Sequence, residues 1–91
     1  MDDSEKIVEI PIDGILDLHL FQPREVRSLI DDYLTLCLER GIGDIRIIHG
    51  KGRGILRDIT HSILKKHPLV YDFKLDSGSS GWGATLVRLK R

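Results

Sequence analysis

Val26, Leu29, Ile30, Tyr33, Leu34, Cys37 and Leu38 recur at steps of three and four, the stripe that one face of an α-helix presents. The residues before them follow a different period. In ILDLHLF, residues 15–21, Leu16, Leu18 and Leu20 fall on one side, and Ile15, Asp17, His19 and Phe21 on the other. That alternation predicts a strand with one apolar face. Pro23 suits the first turn of the helix, and Gly41 is placed to stop it in a left-handed cap. The cycle then repeats. DIRIIH, residues 44–49, reads as an isoleucine-rich strand, and Gly50, Gly52 and Gly54 form a tight loop. A second helix follows, with Ile55, Leu56, Ile59, Ile63 and Leu64 on one face, ending near His67-Pro68. Residues 70–75 alternate again, with Tyr71, Phe73 and Leu75 on one side. Residues 77–83 form a serine–glycine loop carrying the only tryptophan, and residues 84–90 form a last strand.

The resulting order, β-α-β-α-β-β, with one apolar stripe per helix, predicts an α/β two-layer sandwich. Its four-stranded mixed sheet carries both helices on one face. The first three strands are expected to run parallel, joined by right-handed crossovers. The short last loop suits an antiparallel pair.

Ninety-one residues make one domain with a small core. Residues 1–12 read as a polar leader and residues 13–91 as the domain. The single cysteine, Cys37, excludes an intrachain disulfide and falls in the helical stripe, so a buried position is expected. No apolar run approaches the length of a membrane span, and the acidic N-terminus lacks a signal-peptide core. A cytoplasmic monomer with no membrane partner is the expectation. Net charge is zero but unevenly spread. Residues 1–32 carry nine acids and three bases; residues 33–91 carry eleven bases and five acids. A polyanion could meet the basic part without the whole chain being basic.

Two segments carry the chemistry. The first, LDLH at residues 16–19, puts Asp17 and His19 on the strand face opposite the leucines. The second, HGKGRG at residues 49–54, joins a strand end to a helix start. Free N–H groups at a helix N-terminus bind anions, and glycines let a phosphate approach the backbone. Lys51, Arg53 and Arg57 add charge. The spacing is neither a P-loop nor a dinucleotide-binding fingerprint. In a parallel pair the two strand ends lie side by side, so Asp17, His19 and His49 are expected to converge near Lys51 and Arg53. The plainer alternatives are a solvated strand face and a tight turn. His61 and His67 are assigned to a helix surface and a helix end. No Cys/His group has zinc-like spacing.

At these residues the chain resembles the Smr (small MutS-related) domain family, as a stand-alone single-domain member. The marks are LDLH at 16–19 with Pro23 opening the helix, RIIHGKGRGIL at 46–56, HP at 67–68 and GWGATLVRL at 81–89. Three separated motifs in order cover about residues 12–90. The resemblance implies a β-α-β-α-β-β fold similar to the C-terminal domain of bacterial initiation factor 3. It implies nucleic-acid binding, often with endonuclease activity that nicks DNA or cleaves RNA, in several members at ribosomes. The family's Asp-x-His motif falls on Asp17 and His19, its His-Gly-x-Gly motif on His49, Gly50 and Gly52, and its last glycine loop on residues 81–83. One departure stands out: the family usually reads LDLHG, and here the glycine is Leu20, which would narrow the approach to the backbone beside His19.

Two routes follow. In the metal-free route, His19 takes a proton from a ribose 2′-OH, Asp17 orients its imidazole, and His49 or Lys51 stabilises the phosphate. In the other, Asp17 holds a divalent cation such as magnesium that activates water. With one acid in the expected site, the metal-free route or a loosely held divalent cation such as magnesium is favoured. Gly50, Lys51, Gly52, Arg53, Gly54 and Arg57 are the expected phosphate contacts. Trp82, beside Gly83, and Phe21 are available for base stacking. The competing readings are a non-catalytic nucleic-acid-binding module and a ribosome-associated interaction domain.

Overall fold

The apolar stripes and alternating segments fold into β1 (Ile15–Asp17), α1 (Pro23–Glu39), β2 (Asp44–Ile48), α2 (Ile55–Lys66), β3 (Val70–Leu75) and β4 (Ala84–Leu89). The computed structural model describes residues 10–50, 52, 54–78 and 83–90. The sheet order is β1-β2-β4-β3. β1 and β2 are parallel, and β4 runs antiparallel to both β2 and β3, so the first three strands share a direction as expected. Sequence order did not reveal that β4 inserts between β2 and β3.

Both helices cover one face of this sheet. Leu16 from β1 and Leu18 just after it, Ile45 and Ile47 from β2, and Val87 and Leu89 from β4 meet Val26, Ile30, Tyr33, Leu34 and Cys37 of α1 and Ile63 and Leu64 of α2. Burial in this apolar layer pushes the Cys37 thiol pKa up. Ile10 and Ile12, assigned to the polar leader, pack half-buried against the same core.

Local chemistry sets the ends of α1. Pro23 occupies N1, and the Glu25 carboxylate accepts the Gln22 N–H at 2.8 Å. At the far end Gly41 adopts φ +77°, its N–H bonds to Leu38 O, and Ile42 N–H bonds to Cys37 O. These two bonds form a Schellman cap, as the glycine predicted. The Tyr33 hydroxyl accepts the Gly14 N–H at 3.0 Å and donates to Ile15 O at 3.1 Å, tying the start of β1 to α1.

Three sequence expectations are corrected. The first strand ends at Asp17, not at residue 21. Leu18 N–H still bonds to Ile48 O, but Phe21 N–H turns back to Leu18 O at 2.9 Å. Leu20 therefore lies in a turn, 70% exposed, instead of extending the Leu16/Leu18 face. In β3 a register irregularity between Val70 and Asp72 breaks the expected alternation. Tyr71 is left exposed with the Arg88 guanidinium 5.1 Å from its ring centre, while Phe73 and Leu75 stay half-buried. On α2, Ile55 is exposed, and Thr60 takes a fully buried position.

Candidate active site

Ending β1 at Asp17 gives that side chain a second task. Its Oδ1 accepts the backbone N–H of His19 at 3.0 Å, closing an Asx turn, and contacts His19 Nδ1 at 2.7 Å. A carboxylate only accepts, so His19 Nδ1 carries the hydrogen and Nε2 is the free edge of the ring. The His19 side chain is 66% exposed. Slight burial raises the Asp17 pKa, but the His19 N–H, ring and charge together bring it below the usual carboxylate value. The carboxylate is thus ionised at neutral pH, as an imidazole-orienting partner should be. Leu20 does not have positive φ, so the turn needs no glycine for its backbone.

The glycine loop begins one residue beyond the paired end of β2. Asp17 sits opposite Ile48 in the parallel register, so the turn at His19 and the start of the loop share one end of the sheet. His49 N–H and Gly50 N–H both donate to Gly83 O, at 2.9 and 2.8 Å, binding this loop to the one before β4. Gly50 and Gly54 both have φ +81°, in the left-handed region. Gly54 is the N-cap of α2 and brings no side chain there, so the first-turn N–H groups of the helix stay available to an anion.

Arg57 folds back over this cap. A Cβ on Gly54 would collide with the Arg57 guanidinium. Gly54→Ala therefore meets two obstacles, left-handed strain of about 1–2 kcal/mol and displacement of the arginine. A urea titration should show that loss of stability, and phosphate or oligonucleotide binding should weaken with it.

His49 departs from its expected place. It continues the alternation of Ile45 and Ile47, so its ring lies on the helix-covered face, 6% exposed. Its Nε2 contacts Thr85 Oγ1 at 2.8 Å and its Nδ1 contacts Gly50 O at 3.1 Å. Asp17, alternating with buried Leu16 and Leu18, faces the other way. The expected convergence of three side chains is replaced by two groups: an exposed Asp17–His19 pair, and a buried His49 supporting the loop from beneath.

His61 is also corrected. It is half-buried, with its ring turned toward the sheet. Its Nε2 contacts Thr85 Oγ1 at 2.7 Å, its ring lies 5.0 Å from Phe73 and 6.1 Å from His49. Burial, and then nearby positive charge including Arg57, lowers its pKa; burial also lowers that of His49, with Arg57 adding to the effect. His67 does sit at the helix end, where Nδ1 accepts the Leu69 N–H and Nε2 therefore donates to Asp31 at 2.8 Å, tying α2 to α1. Lys51, Arg53 and Trp82 lie outside the described residues. Gly52 is exposed, and Phe21 is half-buried.

The depressed histidine pKa values have a sign that can be checked. Below about pH 6.5 the unfolded chain protonates these imidazoles while the folded chain resists it. Stability should be full above that value and fall as pH drops below it. Urea midpoints measured between pH 7.5 and pH 5 read this, and substituting His61 should flatten the slope.

A depression of about 660 Å³ on the uncovered sheet face is lined by Arg46, Lys74, Leu86 and Arg88. It does not include the site residues, and two of its cations are already paired. Arg88 makes bonds of 2.9 and 2.6 Å to Asp72, and Arg46 one of 3.1 Å to Asp76.

Comparison with known proteins places this arrangement. The family model described as the Smr domain matches residues 16–90. The chain belongs to the Smr domain family. The Smr domain of Thermus thermophilus MutS2 superposes with a TM-score of 0.80 at 29% identity, covering 86% of this chain and 99% of that one. YdaL, a stand-alone small MutS-related protein from Escherichia coli, gives a TM-score of 0.79 at 26% identity, covering 91% of this chain and 69% of that one. Among curated relatives, the protein named endonuclease MutS2 from Clostridium novyi is 38% identical over 76 residues, covering 82% of this chain. That from Clostridium perfringens is 38% identical over 80 residues, covering 87%. The chain spans about 10% of the length of these relatives. Among the described residues of this Smr domain no helix is long and apolar enough to cross a membrane. The sequence signal that was missed is Thr85. It stands inside the GWGATLVRL segment without a role assigned to it, yet it joins the histidine of one motif to a histidine outside every motif.

Proposed function

We propose that this Smr domain binds nucleic acid and cleaves its phosphodiester backbone, with His19 as the base, Asp17 as its orienting partner, and the glycine loop with the α2 N-terminus as the phosphate seat. The observation that carries the reading is the Asp17–His19 pair. A hydrogen-bonded carboxylate fixes the tautomer and leaves a free Nε2 facing solvent, the form a general base needs. Similarity to proteins named endonuclease MutS2 supports the same reading.

The residues do not fit a resident metal ion. Among the described residues no three His, Cys, Asp or Glu side chains gather, and Asp17 is already engaged by His19. The steps use protein groups alone. His19 Nε2 takes the proton of a ribose 2′-OH, the 2′-oxygen attacks phosphorus, and the bond to the 5′-oxygen breaks. The products are a 2′,3′-cyclic phosphate and a 5′-hydroxyl, the leaving oxygen taking its proton from solvent. Arg57 and the free N–H groups of α2 stabilise the added charge on phosphate. RNA is the substrate this route requires.

Single-turnover cleavage of a labelled single-stranded RNA, with and without a 2′-deoxy sugar at the scissile position, tests the chemistry. The deoxy substitution should abolish cutting there. Persistent cutting of the deoxy strand, or of supercoiled DNA in magnesium, would overturn the 2′-OH route. Binding should fall steeply with salt as counterions are released. Salt-insensitive association with a protein partner would favour the interaction-module reading instead.

A further inference from the structure

Thr85 is the second residue of β4, its hydroxyl fully buried between two imidazoles, 2.8 Å from His49 Nε2 and 2.7 Å from His61 Nε2. The directions of these bonds follow from their ends. Gly50 O can only accept, so His49 Nδ1 carries a hydrogen. A neutral His49 then has a bare Nε2, which must accept from the Thr85 hydroxyl. Thr85 has one hydrogen to give, so its remaining contact is an accepted one, and His61 supplies it from Nε2–H. The result is a single ordered chain: His61 to Thr85 to His49 to Gly50 O. Phe73 packs on the His61 ring and fixes its plane. Arg57, Asp58 and Lys65 are the charged groups that act on His61, and Arg57 acts on His49.

We propose that His61 and Thr85 are positioning residues for the glycine loop, holding the Gly50 carbonyl turned inward onto His49 so that its lone pairs do not confront a bound phosphate. This rests on the phosphate-seat reading above. Neither residue touches the ligand. They act by fixing one tautomer of His49, whose ring and backbone together anchor Gly50. The buried His49 of the family motif is thus the last member of a relay whose first two members lie on α2 and β4.

Two pairs of variants separate this role from bulk packing. His61→Gln retains an N–H donor at similar reach, and His61→Leu removes it; Thr85→Ser retains the hydroxyl, and Thr85→Val removes it. Nitrogen-15 NMR of the imidazoles in the wild-type chain should show His49 protonated at Nδ1 and His61 at Nε2. In His61→Leu, hydrogen exchange at the Gly50 amide should accelerate and binding of labelled single-stranded RNA should weaken about fivefold or more, the scale of one lost hydrogen bond. His61→Gln and Thr85→Ser should stay near wild type in both. If Thr85→Val does not fold, the half-exposed His61 position still decides the matter. A wild-type His49 protonated at Nε2, or a His61→Leu variant with unchanged Gly50 exchange, would overturn the relay. A wild-type chain that shows the predicted tautomers but binds no RNA would overturn the phosphate-seat reading and leave the relay standing as a feature of the loop.

Discussion

His19→Ala should lower single-turnover RNA cleavage by about 10²–10⁴-fold, the contribution of a positioned general base. Binding of the same RNA should change little, because the proposed phosphate seat lies on the glycine loop and α2. Asp17→Asn should act differently. It keeps a side chain that can accept the His19 N–H and close the turn, but it removes the charge that supports the imidazolium. Cleavage should fall with the turn intact, and the pH–rate profile should shift. Full cleavage by His19→Ala would remove this residue from the chemistry. Loss of binding equal to loss of cleavage would make the pair a contact surface for nucleic acid instead of a base.

Leu16→Ala should lower stability by about 2–5 kcal/mol, the range for truncating a fully buried leucine. In a domain of this size each kcal/mol moves Tm by about 4–8 °C, so the midpoint should drop by about 10 °C or more. The position matters beyond its volume. β1 is three residues long, and it is held by parallel pairing to β2, by the buried Leu16 and Leu18, and by the Tyr33 hydroxyl. Asp17 follows Leu16 directly. A loosened β1 should therefore cost cleavage at temperatures where most of the chain is still folded. Thermal unfolding followed beside the cleavage rate separates the two. Coincident loss would mean that β1 opens only with the whole domain.

The period-3.6 stripe of α1, its proline start and its glycine cap were legible because each rests on local chemistry that a short window contains. The direction of the first three strands was legible for a similar reason, since an amphipathic helix between two strands leaves little choice. The position of β4 was not, because pairing partners distant in sequence leave no periodic mark. The Asp17–His19 pair is legible as a pair, and Asp17 lies on the strand as expected, but His19 lies beyond its end. Alternation continued through Leu20, while the Asx turn closed by Asp17 ended the strand earlier. His49 was placed at the correct end of the sheet but on the wrong face. Counting the alternation of Ile45 and Ile47 one step further would have put it under the helices. The pairing of His61 with Thr85 is not legible, since each looks ordinary in its own element and only the fold brings them together.

The insertion of β4 between β2 and β3 sets the order in which the proposed site is completed during synthesis. Gly83 and Thr85, which anchor the glycine loop, arrive with the last strand, and β2 and β3 are joined only through it. A growing chain that has emerged only as far as β3 possesses the Asp17–His19 pair but neither a closed sheet nor a braced loop. For a domain proposed to cut RNA, the site is completed only when β4 pairs, so a chain that lacks this strand would carry the Asp17–His19 pair without the loop that is proposed to seat the phosphate.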